Sequence, residues 1–125
     1  MYEDVNALTE SIIGAAIEVH KELGPGLLES AYRGCLVHEL RLRGIKVDAE
    51  LVLPVVYKGA TIECGYRMDL LVEDQVIVEV KSVAALDPIH EAQLLSYLKL
   101  AKKKVGLLIN FNVQQLIKGV RRRVL

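Results

Sequence analysis

The sequence predicts an α/β fold, a mixed central β-sheet flanked by helices, and three observations predict it. Apolar residues recur at helical spacing between Val5 and Arg43. From Val47 onward the period shortens to that of strands, and Asp87-Pro88 then opens one more helical stretch before two further strand-like runs. The order helix, helix, three strands, helix, strand, strand belongs to the α/β class.

The first helix is predicted from Val5 to Leu23, where Leu8, Ile12, Ala15 or Ala16, Val19 and Leu23 keep helical spacing, and Gly24-Pro25-Gly26 breaks it. A second is predicted from Leu28 to Arg43, with Ala31, Cys35, Leu36 and Leu40 inward and Gly44 as its stop. Val47 to Tyr57 reads as a strand, Lys58-Gly59 as a turn, and Thr61 to Val72 as a longer strand leading into a hairpin whose second arm is Val76 to Lys81. Asp87 as N-cap and Pro88 at the first helical position start a helix that reaches Lys103. Val105 to Asn110 reads as a short buried strand and Leu116 to Val124 as a final strand at an edge. No repeat, low-complexity segment or linker divides the chain, so residues 1–125 read as one domain.

The hairpin carries the charge pattern that points to chemistry. Side chains two apart on a strand share a face. In the first arm Tyr66, Met68, Leu70 and Val72 form an apolar even face, matched in the second by Val76, Val78 and Val80. A one-residue slip would misplace that whole set, so the match sets the register, with Glu73, Asp74 and Gln75 in the turn and Asp69 opposite Glu79. The odd face then gathers Arg67, Asp69, Glu79 and Lys81. Opposed residues have Cβ atoms roughly 4.5–5.5 Å apart, where like charges are destabilising without compensation. A bound cation would compensate; the plainer reading is a solvated outer sheet face.

Composition narrows the classes. With 52% hydrophobic and 26% charged residues, a chain of 125 residues can bury one core. Cys35 and Cys64 lack Cys-x-x-Cys spacing and a His placed as a zinc partner, which argues against a structural zinc or disulfide framework and for a reducing, cytoplasmic setting. No apolar stretch approaches the roughly 20 residues of a membrane span, and the acidic start Met1-Tyr2-Glu3-Asp4 is unlike a signal peptide. Sixteen basic and sixteen acidic residues cancel, so no global field announces a nucleic-acid partner. Cations are concentrated locally instead, in Lys102-Lys103-Lys104 and Arg121-Arg122-Arg123, with Arg41 and Arg43 at the end of the second helix. The two triplets are candidates for phosphate contact, against the ordinary reading of a charge run as solvated surface.

Other residues are weaker candidates. Gln93 and Tyr97, four apart on the third helix, lie on one face and could reach the rim of the carboxylate patch. Glu29, in the first turn of the second helix, complements the helix dipole or supplies a third acidic ligand. His20 is placed near the Gly24-Pro25-Gly26 turn, where it could line the site, and His38 and His90 are assigned to the surface. There is no G-x-S-x-G and no phosphate-cradling glycine loop.

Taken together these residues resemble the GxxExxY proteins of the PD-(D/E)xK nuclease superfamily. The likeness runs through Gly26, Glu29 and Tyr32, Tyr66-Arg67-Met68-Asp69, Val78-Glu79-Val80-Lys81-Ser82 and Gln93-Leu94-Leu95-Ser96-Tyr97, over nearly the whole chain. Met68 stands where the superfamily name has proline. The resemblance implies a restriction-endonuclease-like core, Asp69 and Glu79 as divalent-metal ligands, Lys81 as catalytic lysine and Glu29 as an additional acid. Gln93 and Tyr97 match the Gln-x3-Tyr element of its exonuclease-like branch. With Mg²⁺ or Mn²⁺ as cofactor, the Val80 carbonyl would complete the protein's ligands, since such ions take few carboxylates and leave places for water and substrate phosphate. The function implied is hydrolysis of phosphodiester bonds in nucleic acid, DNA first, by the chain alone, as a homo-oligomer or with a partner protein. Two alternatives stand beside it: nucleic-acid or partner binding on the same fold without hydrolysis, and a structural domain with a charged sheet face.

Overall fold

Asp4 caps the first helix of the computed structural model, which describes residues 4–125; the Met1-Tyr2-Glu3 part of the acidic start lies outside the described residues. The Asp4 carboxylate accepts the Asn6 N–H at 2.8 Å, and α1 (Val5–Leu23) continues with Leu8, Ile12, Ala15, Ala16 and Val19 buried. α2 (Glu29–Leu42) buries Tyr32, Leu36, Val37 and Leu40; Cys35, expected inward, is exposed. Among the described residues no helix is long and apolar enough to cross a membrane.

The strands are β1 (Val47–Val52), β2 (Val55–Tyr57), β3 (Ala60–Ile62), β4 (Arg67–Val72), β5 (Val76–Lys81), β6 (Val105–Asn110) and β7 (Val120–Val124), with α3 (Pro88–Ala101) between β5 and β6. The main sheet has the order β1-β4-β5-β6-β7, and its β5–β6 pair is parallel while the others are antiparallel. α3 is the crossover that a parallel pair requires. Leu70, Val72, Val76, Val78 and Val80 pack in one core with α1 and α2, while Leu71, Ile77 and Leu108 pack in a second with Leu94 and Leu98 of α3. This is the mixed sheet flanked by helices that the element order predicts.

Three strand bounds are corrected. The run from Val47 to Tyr57 is not one strand: Pro54 offers no N–H to a ladder, Leu53 N–H donates to Tyr66 O at 2.8 Å, and β2 leaves the sheet to pair only with β3. The Thr61–Val72 run is likewise split between β3 and β4, with Gly65 at φ 79° in the gap. Leu116–Gly119 is a 3-10 turn, not strand. There the chain crosses close over β6, and a Cβ at Gly119 would stand 2.2 Å from the Asn110 carbonyl oxygen.

The hairpin register is as read, with Leu70 opposite Val78, Leu71 opposite Ile77 and Val72 opposite Val76. Its single apolar face is not. Met68 joins the α3-side core although Leu70 and Val72 join the other, and Leu51 of β1 crosses over with it. The cause lies between the pairs Ala49–Leu70 and Leu51–Met68: Glu50 takes a left-handed conformation, φ 53°, which re-aims the strand next to Asp69.

Candidate active site

Past Leu70–Val78, side chains take over from the ladder. The Asp69 N–H donates to Glu79 Oε2 at 2.8 Å, and the Val80 N–H donates to Asp69 Oδ2 at 2.8 Å. Each carboxyl group thus holds the other strand by a hydrogen bond and keeps its second oxygen, Asp69 Oδ1 or Glu79 Oε1, for another partner. Glu79 is buried and Asp69 half-buried.

Burial, and then the neighbouring Asp69 charge, push Glu79 up to about 8, against the lowering pull of the Asp69 N–H, Lys81 and Arg33. Burial also raises Asp69; the Val80 N–H, Arg33 and Lys81 lower it and Glu29 raises it further. A pair of acids so raised is short of positive charge. Lys81 and Arg33 supply part of it.

Arg33 is the residue that sequence reasoning missed. Its guanidinium stands 3.6 Å from Asp69 Oδ1 and 3.4 Å from Glu50 Oε1, whereas Arg67, the cation expected on this face, is exposed at the start of β4. The available signal was its spacing, one turn after Glu29 on the same helix face.

The approach of α2 to the sheet is built by the Gly26-x2-Glu29-x2-Tyr32 segment. Gly26 has φ 99°, open to glycine, and the buried Tyr32 ring stacks on Phe111 with centroids 4.6 Å apart. The Tyr32 hydroxyl donates to Gly24 O at 2.5 Å and accepts from Leu27 N–H at 3.1 Å, and Ser82 Oγ donates to Leu27 O at 2.6 Å. The tyrosine and glycine therefore shape the loop, and the loop delivers Glu29 and Arg33. A cleft of about 420 Å³ opens here, lined by Leu27, Leu28, Glu29, Ser30, Arg33 and Ser82.

Gln93 and Tyr97 line a second groove, of about 380 Å³, with Tyr66 and Ser96. The Tyr97 ring is tilted against Tyr66 at 6.0 Å. Burial, then the charges of Glu79, Tyr66 and Asp69, raise its phenol, so at neutral pH it remains a hydrogen-bond donor. The charges of Glu79 and Asp69 thus reach the Tyr97 phenol, and Gln93 is its groove neighbour.

Other candidates lie elsewhere. Lys102, Lys103, Lys104 and Arg122 surround a cavity of about 560 Å³ beside Val105, the end of β6 opposite to the one that flanks Glu79 and Lys81. Lys103 pairs with Asp74 at 3.1 Å, Arg122 donates to Asn6 Oδ1, Arg123 pairs with Glu91, and Arg121 donates to the carbonyls of Lys118 and Val120. Arg43 pairs with Glu39, and Arg41 donates to Val47 O. His20 does not line the carboxylate site: its Nε2 bonds to Val113 O at 2.7 Å. His90 serves α3, its Nδ1 accepting the Asp87 N–H at 3.0 Å.

The donors suit a hard divalent cation in kind: two carboxylates with an oxygen each to give, raised by burial and mutual repulsion, beside the Val80 backbone. Among the described residues no group of three acids, histidines or cysteines has metal-holding geometry, so Glu29 acts on Asp69 by charge and is not gathered into a three-ligand cluster.

No curated protein and no solved structure matches the chain. The family model described as the PD-(D/E)XK nuclease superfamily matches residues 6–123, a span that takes in both carboxylates, the lysine two places on and the five-stranded sheet that carries them. The chain belongs to the PD-(D/E)XK nuclease superfamily.

Proposed function

We propose that this chain is a metal-dependent nuclease of the GxxExxY group, hydrolysing phosphodiester bonds in DNA with Mg²⁺ or Mn²⁺ bound by Asp69, Glu79 and the Val80 carbonyl. The observation that carries the reading is the crossed pair of Asp69 and the buried Glu79, each accepting a backbone N–H from the other's strand, with Glu79 raised by burial and by the neighbouring Asp69 charge. A bound divalent cation supplies polarisation of the scissile phosphate and a more acidic water. Lys81, about one strand repeat of 6.6 Å beyond Glu79, orients the attacking water and offsets charge developing on oxygen. Gln93 and Tyr97 position Lys81 or a phosphate oxygen, with the Tyr97 phenol as donor. Glu29 acts on the metal through water. The triplets Lys102–Lys104 and Arg121–Arg123 contact the backbone of a long substrate away from the scissile bond.

The net charge of zero favours a second reading, a nucleic-acid-binding or partner-binding domain without hydrolysis. A cleavage assay on single- and double-stranded DNA and RNA with Mg²⁺, with Lys81→Ala as control, separates them. Cleavage abolished in Lys81→Ala at retained metal affinity supports the nuclease; binding without any cleavage supports the alternative.

A further inference from the structure

We propose that Arg33 is the phosphate-holding residue of this site, kept beside Asp69 by charge until a substrate phosphodiester enters the cleft that Arg33 lines. The proposal rests on the nuclease reading above.

Arg33 is not locked where it stands. Its contacts with Asp69 and Glu50, 3.6 and 3.4 Å, are longer than the roughly 2.7–2.9 Å of a bidentate charge-assisted bond, so attraction holds the guanidinium without a fork-to-fork fit. One quarter of the side chain is exposed, and it opens onto the cleft with Ser30 and Ser82. A guanidinium has five donors in a plane that matches phosphate oxygens. Its anchors are unequal: Glu50 is half-exposed and stands in a strained left-handed backbone, while Asp69 is the residue a divalent cation would claim. Once that cation compensates Asp69, the guanidinium loses its tie there and the cleft is the place left for an anion. Glu29, in the same cleft, opposes an anion before that compensation.

Arg33 therefore competes with the cation for Asp69 but cooperates with the substrate, and removing it moves the two affinities in opposite directions. The test follows Mn²⁺ binding by EPR titration without substrate, and binding of a fluorescent DNA oligonucleotide with Ca²⁺ in place of Mg²⁺. Both are read for wild type, Arg33→Gln and Arg33→Lys, each checked for folding by circular dichroism. In Arg33→Gln, Mn²⁺ binding is expected to tighten about tenfold and DNA binding to weaken about tenfold. Arg33→Lys is expected to return Mn²⁺ affinity to the wild-type value without restoring DNA affinity, because a point charge lacks the planar fork. Mn²⁺ affinity unchanged or weakened in folded Arg33→Gln, or DNA affinity unchanged, overturns the proposal and leaves the metal centre standing. No Mn²⁺ binding by the wild type removes the metal centre itself, and this proposal with it.

Discussion

Asp69 and Glu79 hold each other's strands, the Glu79 carboxylate accepting the Asp69 N–H and the Asp69 carboxylate accepting the N–H of Val80. The acids are thus part of the sheet's hydrogen bonding, so a substitution must keep an acceptor to isolate the role of charge. Glu79→Gln does so. Its amide oxygen can still accept the Asp69 N–H, while the buried charge and its repulsion with Asp69 disappear. Thermal melts at about pH 8 without metal are expected to show equal or higher stability, and cleavage is expected to fall at least about 100-fold. A variant that melts lower yet still cuts would contradict both halves.

The raised acids set the response to pH. Glu79 holds its proton more tightly in the folded chain, where its pKa is about 8, than in the unfolded chain near 4.5. The folded state therefore binds more protons between those values, and the metal-free protein loses stability as pH rises from about 4.5 to about 8, by a few kcal/mol at most. Asp69, shifted in the same direction, adds to the loss. Divalent-cation binding displaces the proton, so the gain in Tm on adding Mg²⁺ is expected to be larger at about pH 8.5 than at about pH 6. Titration calorimetry in buffers of different ionisation enthalpy should register proton release at neutral pH.

Tyr32 is expected to matter through architecture. Tyr32→Phe keeps the stack on Phe111 but removes the hydroxyl shared by Gly24 O and Leu27 N–H, a loss of about 1–2 kcal/mol in denaturant unfolding. Because Leu27 O is also the acceptor for Ser82, the loop bearing Glu29 and Arg33 loosens, and KM should rise more than kcat falls. Tyr32→Ala empties a fully buried site and should cost about 3–5 kcal/mol.

What could be read from the chain follows from how local each signal is. Hydrophobic alternation set the hairpin register because a slip of one residue would have sent Val76, Val78 and Val80 together to the opposite face of the sheet. The placing of Asp69 near Glu79 rested on that register alone. Met68 escaped the reading because the strand turns over at Glu50, and nothing in that residue's identity announces a left-handed backbone. Arg33 escaped it because an Arg one turn after a Glu looks like an ordinary surface pair, and only the fold brings β1 and β4 beneath it. The basic triplets were legible as charge but not as place: Lys102–Lys104 lies at the Val105 end of β6, while Arg121–Arg123 runs along β7 with Arg121 opposite Leu108, the residue of β6 that also pairs with Glu79, and only the assembled sheet fixes these positions.

Glu50 allows strain and electrostatics to be separated. At φ 53° a glycine carries no Cβ penalty, which favours Glu50→Gly by about 1 kcal/mol over Glu50→Ala; the ion pair it gives up is half-exposed and worth about 0–1 kcal/mol. Glu50→Ala loses the same pair and keeps the strain. Glu50→Gly is therefore expected to match or exceed wild-type stability and to exceed Glu50→Ala by about 1 kcal/mol in urea unfolding. Both variants free Arg33 from one of its two anchors, so both should shift Mn²⁺ affinity equally despite their different stabilities. Equal stability of the two variants would show that the left-handed backbone costs nothing there. Unequal Mn²⁺ affinities would show that Glu50 acts on the site through the strand and not through its charge.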